Sequence, residues 1–185
     1  MVAHNHNLGY NKRMKTFKTC CCAGLYPKNF PFDYKNDKNS RKAFFKEMLQ
    51  KVEFVVENYG VNRFITGMTG GAEHDFAEAV LYLRDTKNFK IFLECAVPCP
   101  AQKIFWNEFD RLRYENIFLK ADLKYTLFER YTSDCFKNLA KYLVYTSDLV
   151  IAVYNGDKKG AGREVLDCAI NEKKIIEYIN LFKQQ

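Results

Sequence analysis

The sequence has 185 residues, of which 48% are hydrophobic and 16% aromatic, and this composition excludes a largely disordered chain. Its 29 basic and 22 acidic residues give a formal net charge of +7. That charge would permit contact with nucleic acid, but we interpret it as a solvated basic surface because lysines and acids are mixed along the chain. No apolar run reaches the roughly 18 residues of a membrane span, and residues 1–18 lack the apolar stretch of a secretory signal.

Predicted strands and helices alternate from residue 16 onward, after a polar segment at residues 1–15 that we expect to be a flexible extension. Short apolar runs predict strands at residues 17–23, 63–66, 90–97, 124–128, 149–154 and 174–179. Helical spacing of apolar residues predicts helices at 41–59, 102–119, 135–145 and 163–172, and a further one whose apolar face runs from 76 to 83. We therefore predict one domain at residues 16–185 with an α/β fold, a Rossmann-like three-layer sandwich with a mostly parallel central sheet.

The seven cysteines do not indicate a disulfide framework or a metal site. Cys20, Cys21 and Cys22 are consecutive, and neighbours on a strand point to opposite faces, so they are poorly placed to pair. No C-x-x-C pair occurs, and Cys95 and Cys99 have no matching pair elsewhere. We expect reduced, buried thiols in a cytoplasmic protein, with no metal and no cofactor.

The candidate site is the set of loops that follow the strands, because ligands of such sheets bind beyond the carboxyl ends of the strands. Three of these loops contain glycine, at residues 23–27, 67–73 and 156–163. Glycine allows the backbone to approach a phosphate, and the helix that follows offers free N–H groups and the positive end of its dipole. None of the loops matches a strict dinucleotide or P-loop fingerprint, and strand–helix turns also use glycine for geometric reasons.

Several single residues near these loops have both a structural and a functional interpretation. Glu73 opens a helix, where it can interact with the helix dipole or hydrogen-bond a ribose hydroxyl. Tyr26 and Tyr154 end strands, where they can stack on a base or simply pack. His74 follows Glu73 and can be solvent-exposed, whereas the helical spacing around Trp106 favours a place in the core.

The predicted ligand-binding residues are Gly24, Leu25, Tyr26, Gly67, Met68, Thr69, Gly70, Gly71, Glu73, Tyr154, Asn155, Gly156, Lys158, Lys159, Gly160, Gly162 and Arg163. The lysines and the arginine of the third loop supply positive charge where an anion would bind. If the protein is an enzyme, Glu73 and Glu164 are the candidate acid and base. No Gly-x-Ser-x-Gly elbow occurs, and the sequence offers no other catalytic set.

The segment Phe64–Glu73, followed by an Ala-Glu pair, resembles the Gly-Met-Ala-x-Gly-x-Asp…Ala-Glu signature of the YpsA-like family. That family belongs to the SLOG superfamily, together with the DprA/SMF and LOG proteins. Further blocks agree in the same order at residues 18–27, 97–114, 131–154 and 156–162, so the resemblance covers about residues 16–179. It implies a Rossmann-like domain that binds nucleotides or nucleotide-derived molecules.

The sequence departs from the family pattern at several functional positions. The turn's His-Arg is Leu25-Tyr26 here, and a polar Arg-Asn pair falls on Leu139 and Ala140. In the LOG-type motif, Arg163 replaces a threonine and the catalytic glutamate's place is taken by leucine at position 166. These differences argue against phosphoribohydrolase chemistry.

The resemblance and its departures together predict a non-catalytic binding module. Its expected ligand is a nucleotide-derived signalling molecule, ADP-ribose-like, bound as a sensor or sequestering protein in anti-phage defence or counter-defence. Related SLOG domains often pair, so a homo-oligomer is expected. Two alternatives stay open: a LOG-type hydrolase of a nucleotide's glycosidic bond, and a DprA-like protein associated with single-stranded DNA.

Overall fold

The computed structural model describes residues 18–156 and 161–181. The predicted extension at residues 1–15 lies outside this range, as do Lys158, Lys159 and Gly160. The strands are β1 (Lys18–Ala23), β2 (Val61–Thr66), β3 (Phe92–Val97), β4 (Leu123–Thr126), β5 (Leu149–Tyr154) and β6 (Ile175–Asn180). The helices are α1 (Lys38–Tyr59), α2 (Ala72–Lys87), α3 (Glu108–Lys120), α4 (Cys135–Tyr145) and α5 (Ala161–Asn171).

All six strands run parallel in one sheet with the order β4-β3-β2-β1-β5-β6, which confirms the predicted α/β, Rossmann-like architecture. The chain moves outward from β1 to β4 and then crosses to the other side of β1 for β5 and β6. The strand order therefore reverses between β1 and β5. In open α/β sheets the ligand crevice lies at such a reversal, beyond the carboxyl ends of the two strands.

The three consecutive cysteines show how each strand divides its side chains between two cores. Cys20 and Cys22 pack in the core that contains residues of α1, α2 and α3. Cys21 packs on the opposite face with residues of α4 and α5. All three side chains are fully buried, as the alternation along a buried strand predicted.

Within the described residues, no helix has the length and apolar character needed to cross a membrane.

One helix begins later than its apolar spacing predicted. A helix was predicted at residues 102–119. The structure has a short 3₁₀ turn at Pro100–Lys103 instead, and α3 begins directly after Asn107. The side chain of Asn107 accepts a hydrogen bond from the backbone N–H of Asp110 at 3.0 Å, which is a strong helix-start signal. Trp106 consequently precedes the helix and does not lie on its apolar face.

Candidate functional site

Loops from three strands meet at the carboxyl edge of the sheet next to the reversal between β1 and β5. They follow β1 at residues 24–27, β2 at residues 67–71 and β5 at residues 155–156. The start of α5 joins them. Of the predicted ligand-binding residues, all but Lys158, Lys159 and Gly160 are described, and all of these lie in or beside these loops.

The glycines of this edge let the loops pack directly on one another. A Cβ atom on Gly162 would lie 2.1 Å from the carbonyl oxygen of Gly24, so the start of α5 is in close contact with the β1 loop. Gly71 has a φ of 55°, and a Cβ atom there would lie 2.2 Å from the carbonyl oxygen of Leu25. The same carbonyl accepts a hydrogen bond from Ala72 N–H at 3.0 Å. Packing between loops is therefore one reason for glycine here, and ligand contact stays a prediction.

The β2 loop is covered by other parts of the protein. Met68 has a φ of 57°, and the whole residue, backbone and side chain, is buried in the core. A Cβ atom on Gly67 would lie 2.7 Å from Cδ2 of Leu139, which packs behind the loop. On the outer side, the indole of Trp106 lies 3.8 Å from the Cβ position of Gly70. Thr69 is buried as well.

Glu73 directs its carboxylate inward, towards the β2 loop. Thr66 Oγ1 donates a hydrogen bond to Glu73 Oε2 at 3.0 Å, and the backbone N–H groups of Thr69, Gly67 and Met68 also interact with the carboxylate. Burial raises the pKa of Glu73 from 4.5 to about 7, although these hydrogen bonds oppose the shift. The side chain therefore fixes the loop against the first turn of α2 and exchanges its proton near neutral pH.

His74 is fully buried, so the expectation of an exposed side chain at the start of α2 is wrong. The reason is that α3 and the segment before it cover this turn: the ring lies edge-on to Trp106 at 5.4 Å and near Tyr114 at 6.4 Å. Neither ring nitrogen makes a hydrogen bond of good geometry with the described residues, although the Met68 backbone interacts with the ring and opposes the lowering of its pKa. Burial, with a smaller contribution from the positive charge of Arg113, lowers the pKa of His74 from 6.5 to about 3.

Tyr26 follows β1 and interacts electrostatically with acids at two helix starts of the site. Burial raises its pKa to about 12, and the negative charges of Glu73 and Glu164 contribute to the shift. Glu73 opens α2, whereas Glu164 is exposed in the first turn of α5. The phenol ring therefore stands at the crevice that the strand order predicts, within electrostatic range of both acids.

The β5 side of the edge carries a positive charge near a helix start. Arg163 is in the first turn of α5, and its Nη2 atom lies 2.6 Å from Oδ1 of Asp167, one turn later. The side chain also interacts with Tyr154 at the end of β5. Asn155 donates a hydrogen bond from Nδ2 to the carbonyl oxygen of Asn29 at 2.7 Å, which attaches the β5 loop to the segment after β1.

A buried charged network next to the site was missed by the sequence analysis. Arg113 on α3 donates to Asp75 Oδ1 at 2.7 Å and to both carboxylate oxygens of Glu78, at 2.8 and 2.7 Å. Tyr34 donates from its hydroxyl to Asp75 Oδ2 at 2.5 Å and accepts a hydrogen bond from Arg113 at 2.8 Å. The network joins α2, α3 and the segment after β1. The sequence signal for this network is the charged side chain of Arg113, which lies beside apolar positions of the predicted helix at 102–119.

The described residues contain no cluster of His, Cys, Asp and Glu side chains that could hold a metal ion.

A family model described as the YspA SLOG family, YpsA, matches residues 21–182. No curated protein matches the chain. The matched range extends from β1 through β6 and so includes every loop of the candidate site.

Proposed function

The chain belongs to the YspA SLOG family, YpsA, and we propose that it binds a nucleotide or a nucleotide-derived signalling molecule of the ADP-ribose class at the carboxyl edge of its sheet. Membership of a SLOG family points to a nucleotide-related function. In this proposal the binding is non-catalytic, and the protein is a sensor or a sequestering protein. We further propose a cytoplasmic homo-oligomer that acts in anti-phage defence or counter-defence.

The observation that carries the proposal is the position of the α5 start at the reversal of the strand order. Gly162 contacts Gly24 there, and Arg163 occupies the first turn of the helix. The free N–H groups and the dipole of a helix start attract an anion, and a guanidinium can donate two parallel hydrogen bonds to a phosphate. This arrangement supports a phosphate-bearing ligand whose remaining part extends towards Tyr26.

The lack of catalysis is supported by the residue that occupies the LOG-type catalytic position. Leu166 is buried in the core between the sheet and α5, so no acid or base is available from that position. Glu73 is buried as well, with its carboxylate held by Thr66 and the β2 loop. In this proposal both positions serve packing and loop geometry.

The test is the thermal stability of the purified chain with a panel of nucleotides, together with mass spectrometry of small molecules released by heating. A ligand at about 100 times its dissociation constant adds about 2.7 kcal/mol of stability, which raises the melting temperature of a domain of this size by roughly 5–10 °C. Arg163→Gln is expected to weaken binding of a phosphorylated ligand about tenfold, because one charge-assisted contact is lost.

The matched control is Lys120→Gln, which removes one positive charge at the end of α3, next to the opposite edge of the sheet. It should leave the affinity unchanged. If no nucleotide raises the melting temperature and none is released on heating, the proposal is wrong. Equal weakening by both variants would show that net charge, and not the α5 start, determines binding.

A second candidate function, hydrolysis of a nucleotide's glycosidic bond, has one observation in its favour. The pKa of Glu73 is raised to about 7 by burial, and a carboxyl group that exchanges its proton near neutral pH suits general acid catalysis. Release of a free base from nucleoside monophosphates, abolished by Glu73→Gln, would establish this function. Tight binding without release of a base would support the non-catalytic proposal.

A further inference from the structure

A cleft of about 700 Å³ opens beside the β2 loop, on the side of the sheet that α3 covers. One wall is formed by residues 26–35 after β1, and the other by residues 105–110, which lead into α3. Its volume lies within the roughly 300–1,000 Å³ that is usual for small-molecule sites. Tyr26 belongs both to this cleft and to the crevice between β1 and β5, so the two spaces adjoin.

Five of the eleven residues that line the cleft are aromatic, which is far above the 16% of the whole chain. They are Tyr26, Phe32, Tyr34, Phe105 and Trp106. We call this space the aromatic cleft. Aromatic side chains on both walls are suited to a ligand that contains a planar ring.

Two of these rings are held in place from behind. Trp106 lies edge-on to His74 at 5.4 Å and to Tyr114 at 5.8 Å. The hydroxyl of Tyr34 is engaged in the buried network with Arg113, at 2.8 Å, and the residue is only 2% exposed, so it supports the floor of the cleft. Rings that are fixed before binding lose little conformational entropy when a ligand stacks on them.

A third ring of the aromatic cleft is almost fully exposed. The side chain of Phe105 is 96% exposed, although it directly precedes the fixed ring of Trp106. Single exposed apolar side chains are common on protein surfaces. Here the exposed ring belongs to the lining of a cleft with four other aromatic residues, where a stacked ligand would remove it from water.

The two carboxylates of the aromatic cleft differ in their capacity to accept a ligand's hydrogen bond. Asp33 already accepts hydrogen bonds from the backbone N–H groups of Lys35 and Asn36, each at 3.1 Å, and from the Asn36 side chain. Asp110, which is only 8% exposed, accepts from Asn107 Nδ2 at 2.6 Å through Oδ2. Its Oδ1 atom accepts no hydrogen bond from the described residues. A buried carboxylate oxygen without a donor is costly, and a ligand N–H that reached the carboxylate would remove that cost.

We infer that the aromatic cleft binds the base of the nucleotide ligand: a nucleobase with an exocyclic amino group stacks on Phe105 and Trp106 and donates to Asp110. The inference rests on the proposed function and adds the position and the chemical class of the base. Lys28 and Lys35 also line the cleft and form no ion pair within the described part of the chain, so their charge attracts an anionic ligand to the opening.

Trp106 is the only tryptophan of the chain, so intrinsic fluorescence reports directly on the aromatic cleft. The full chain is titrated with adenosine, adenosine monophosphate, ribose 5-phosphate and purine riboside, which is adenosine without its amino group. Adenosine and adenosine monophosphate are expected to quench Trp106, and ribose 5-phosphate is not. Purine riboside should bind about tenfold more weakly than adenosine, because it cannot donate to Asp110.

Two variants test the two parts of the contact. Phe105→Ala should weaken adenosine binding about tenfold through lost stacking. Its matched control is Leu119→Ala, which removes another exposed apolar side chain from the same region of the chain, 76% exposed near the end of α3. Asp110→Asn keeps an acceptor for Asn107 and should reduce the difference in affinity between adenosine and purine riboside.

The outcomes separate this inference from the proposed function. Adenosine monophosphate could raise the melting temperature and bind more weakly to Arg163→Gln, as the proposed function expects. If Trp106 is then not quenched and Phe105→Ala binds normally, the base lies elsewhere and only this inference is overturned. If no compound of this panel binds, and no nucleotide raises the melting temperature or is released on heating, the proposed function fails together with this inference. Quenching by adenosine whose affinity falls about tenfold in Phe105→Ala and is unchanged in Leu119→Ala supports the inference.

Discussion

Two adjacent residues at the start of α2 should respond to acid in opposite directions. Burial, with smaller contributions from the charges of Arg113 and Arg41, lowers the pKa of His74 from 6.5 to about 3. Burial also raises the pKa of Glu73 from 4.5 to about 7, against the hydrogen bonds from Thr66 and the β2 loop. In both cases the buried environment favours the neutral form, but the neutral form is deprotonated in one residue and protonated in the other.

For His74 the unfolded chain binds the proton first, so the free energy of unfolding is highest above pH 6.5 and falls as the pH drops towards about 3. For Glu73 the folded chain binds the proton first, so the free energy of unfolding rises as the pH drops from about 7 towards 4.5. Between about pH 7 and about pH 5 each residue changes the free energy of unfolding by about 2 kcal/mol, with opposite sign. The two contributions nearly cancel in the unsubstituted protein.

Single variants remove one contribution at a time. His74→Phe keeps a ring against Trp106, and neither nitrogen of His74 makes a hydrogen bond of good geometry that the substitution would remove. Relative to the unsubstituted protein, its free energy of unfolding should rise by about 2 kcal/mol between about pH 7 and about pH 5. Glu73→Gln should show the reverse, a relative fall of about 2 kcal/mol over the same interval.

The measurement is urea unfolding at both pH values, followed by circular dichroism so that changes around Trp106 do not affect the signal. Because the comparison is with the unsubstituted protein at each pH, the titration of every other group cancels. Glu108→Gln, an exposed acid in the first turn of α3, serves as the control and should follow the unsubstituted protein. Parallel pH profiles for His74→Phe and the unsubstituted protein would refute the reasoning.

Three further predictions concern stability and thiol access. Gly71→Ala should lower the free energy of unfolding by about 3 kcal/mol or more, because its Cβ would lie 2.2 Å from a backbone oxygen. Gly60→Ala, whose Cβ would meet nothing within 4 Å, should lower it by only about 1 kcal/mol, and urea unfolding measures both. Arg113→Ala should cost about 3–5 kcal/mol by breaking a buried network, and Arg84→Ala, whose ion pairs are more exposed, about 1 kcal/mol or less. Iodoacetamide should modify Cys168 first, because it is the least buried of the seven thiols; mass spectrometry showing another cysteine modified as fast would contradict this.

The parallel sheet and most of its elements could be predicted because their signals are local. Continuous apolar runs with amphipathic segments between them require a sheet covered on both faces, and α4 and β5 have the bounds that their apolar patterns predicted. The order of strands and loops then places the glycine loops at one edge, because parallel strands all end there. The late start of α3 shows the limit of periodicity: a capping contact at Asn107 determined the boundary.

The candidate site could be located from the sequence but its chemistry could not. The motif around Glu73 indicated an acid at a helix start, and the structure adds that its carboxylate turns inward to Thr66. The sequence allowed a solvent-exposed His74, because no residue near it along the chain indicates that α3 and Trp106 cover its side chain. Both pKa shifts depend on burial by residues that are distant in sequence.

The sequence by itself determined the fold class, the alternation of strands and helices, the two faces of the cysteine strand and the edge where the loops meet. The tertiary structure alone decided which side chains are buried together: the network of Arg113 with Asp75, the contact of Gly162 with Gly24, and the walls of the aromatic cleft around Trp106. The physical reason is that secondary structure follows from periodicity and capping between near neighbours. Burial, pKa and cavity shape depend on contacts between segments that only folding brings together.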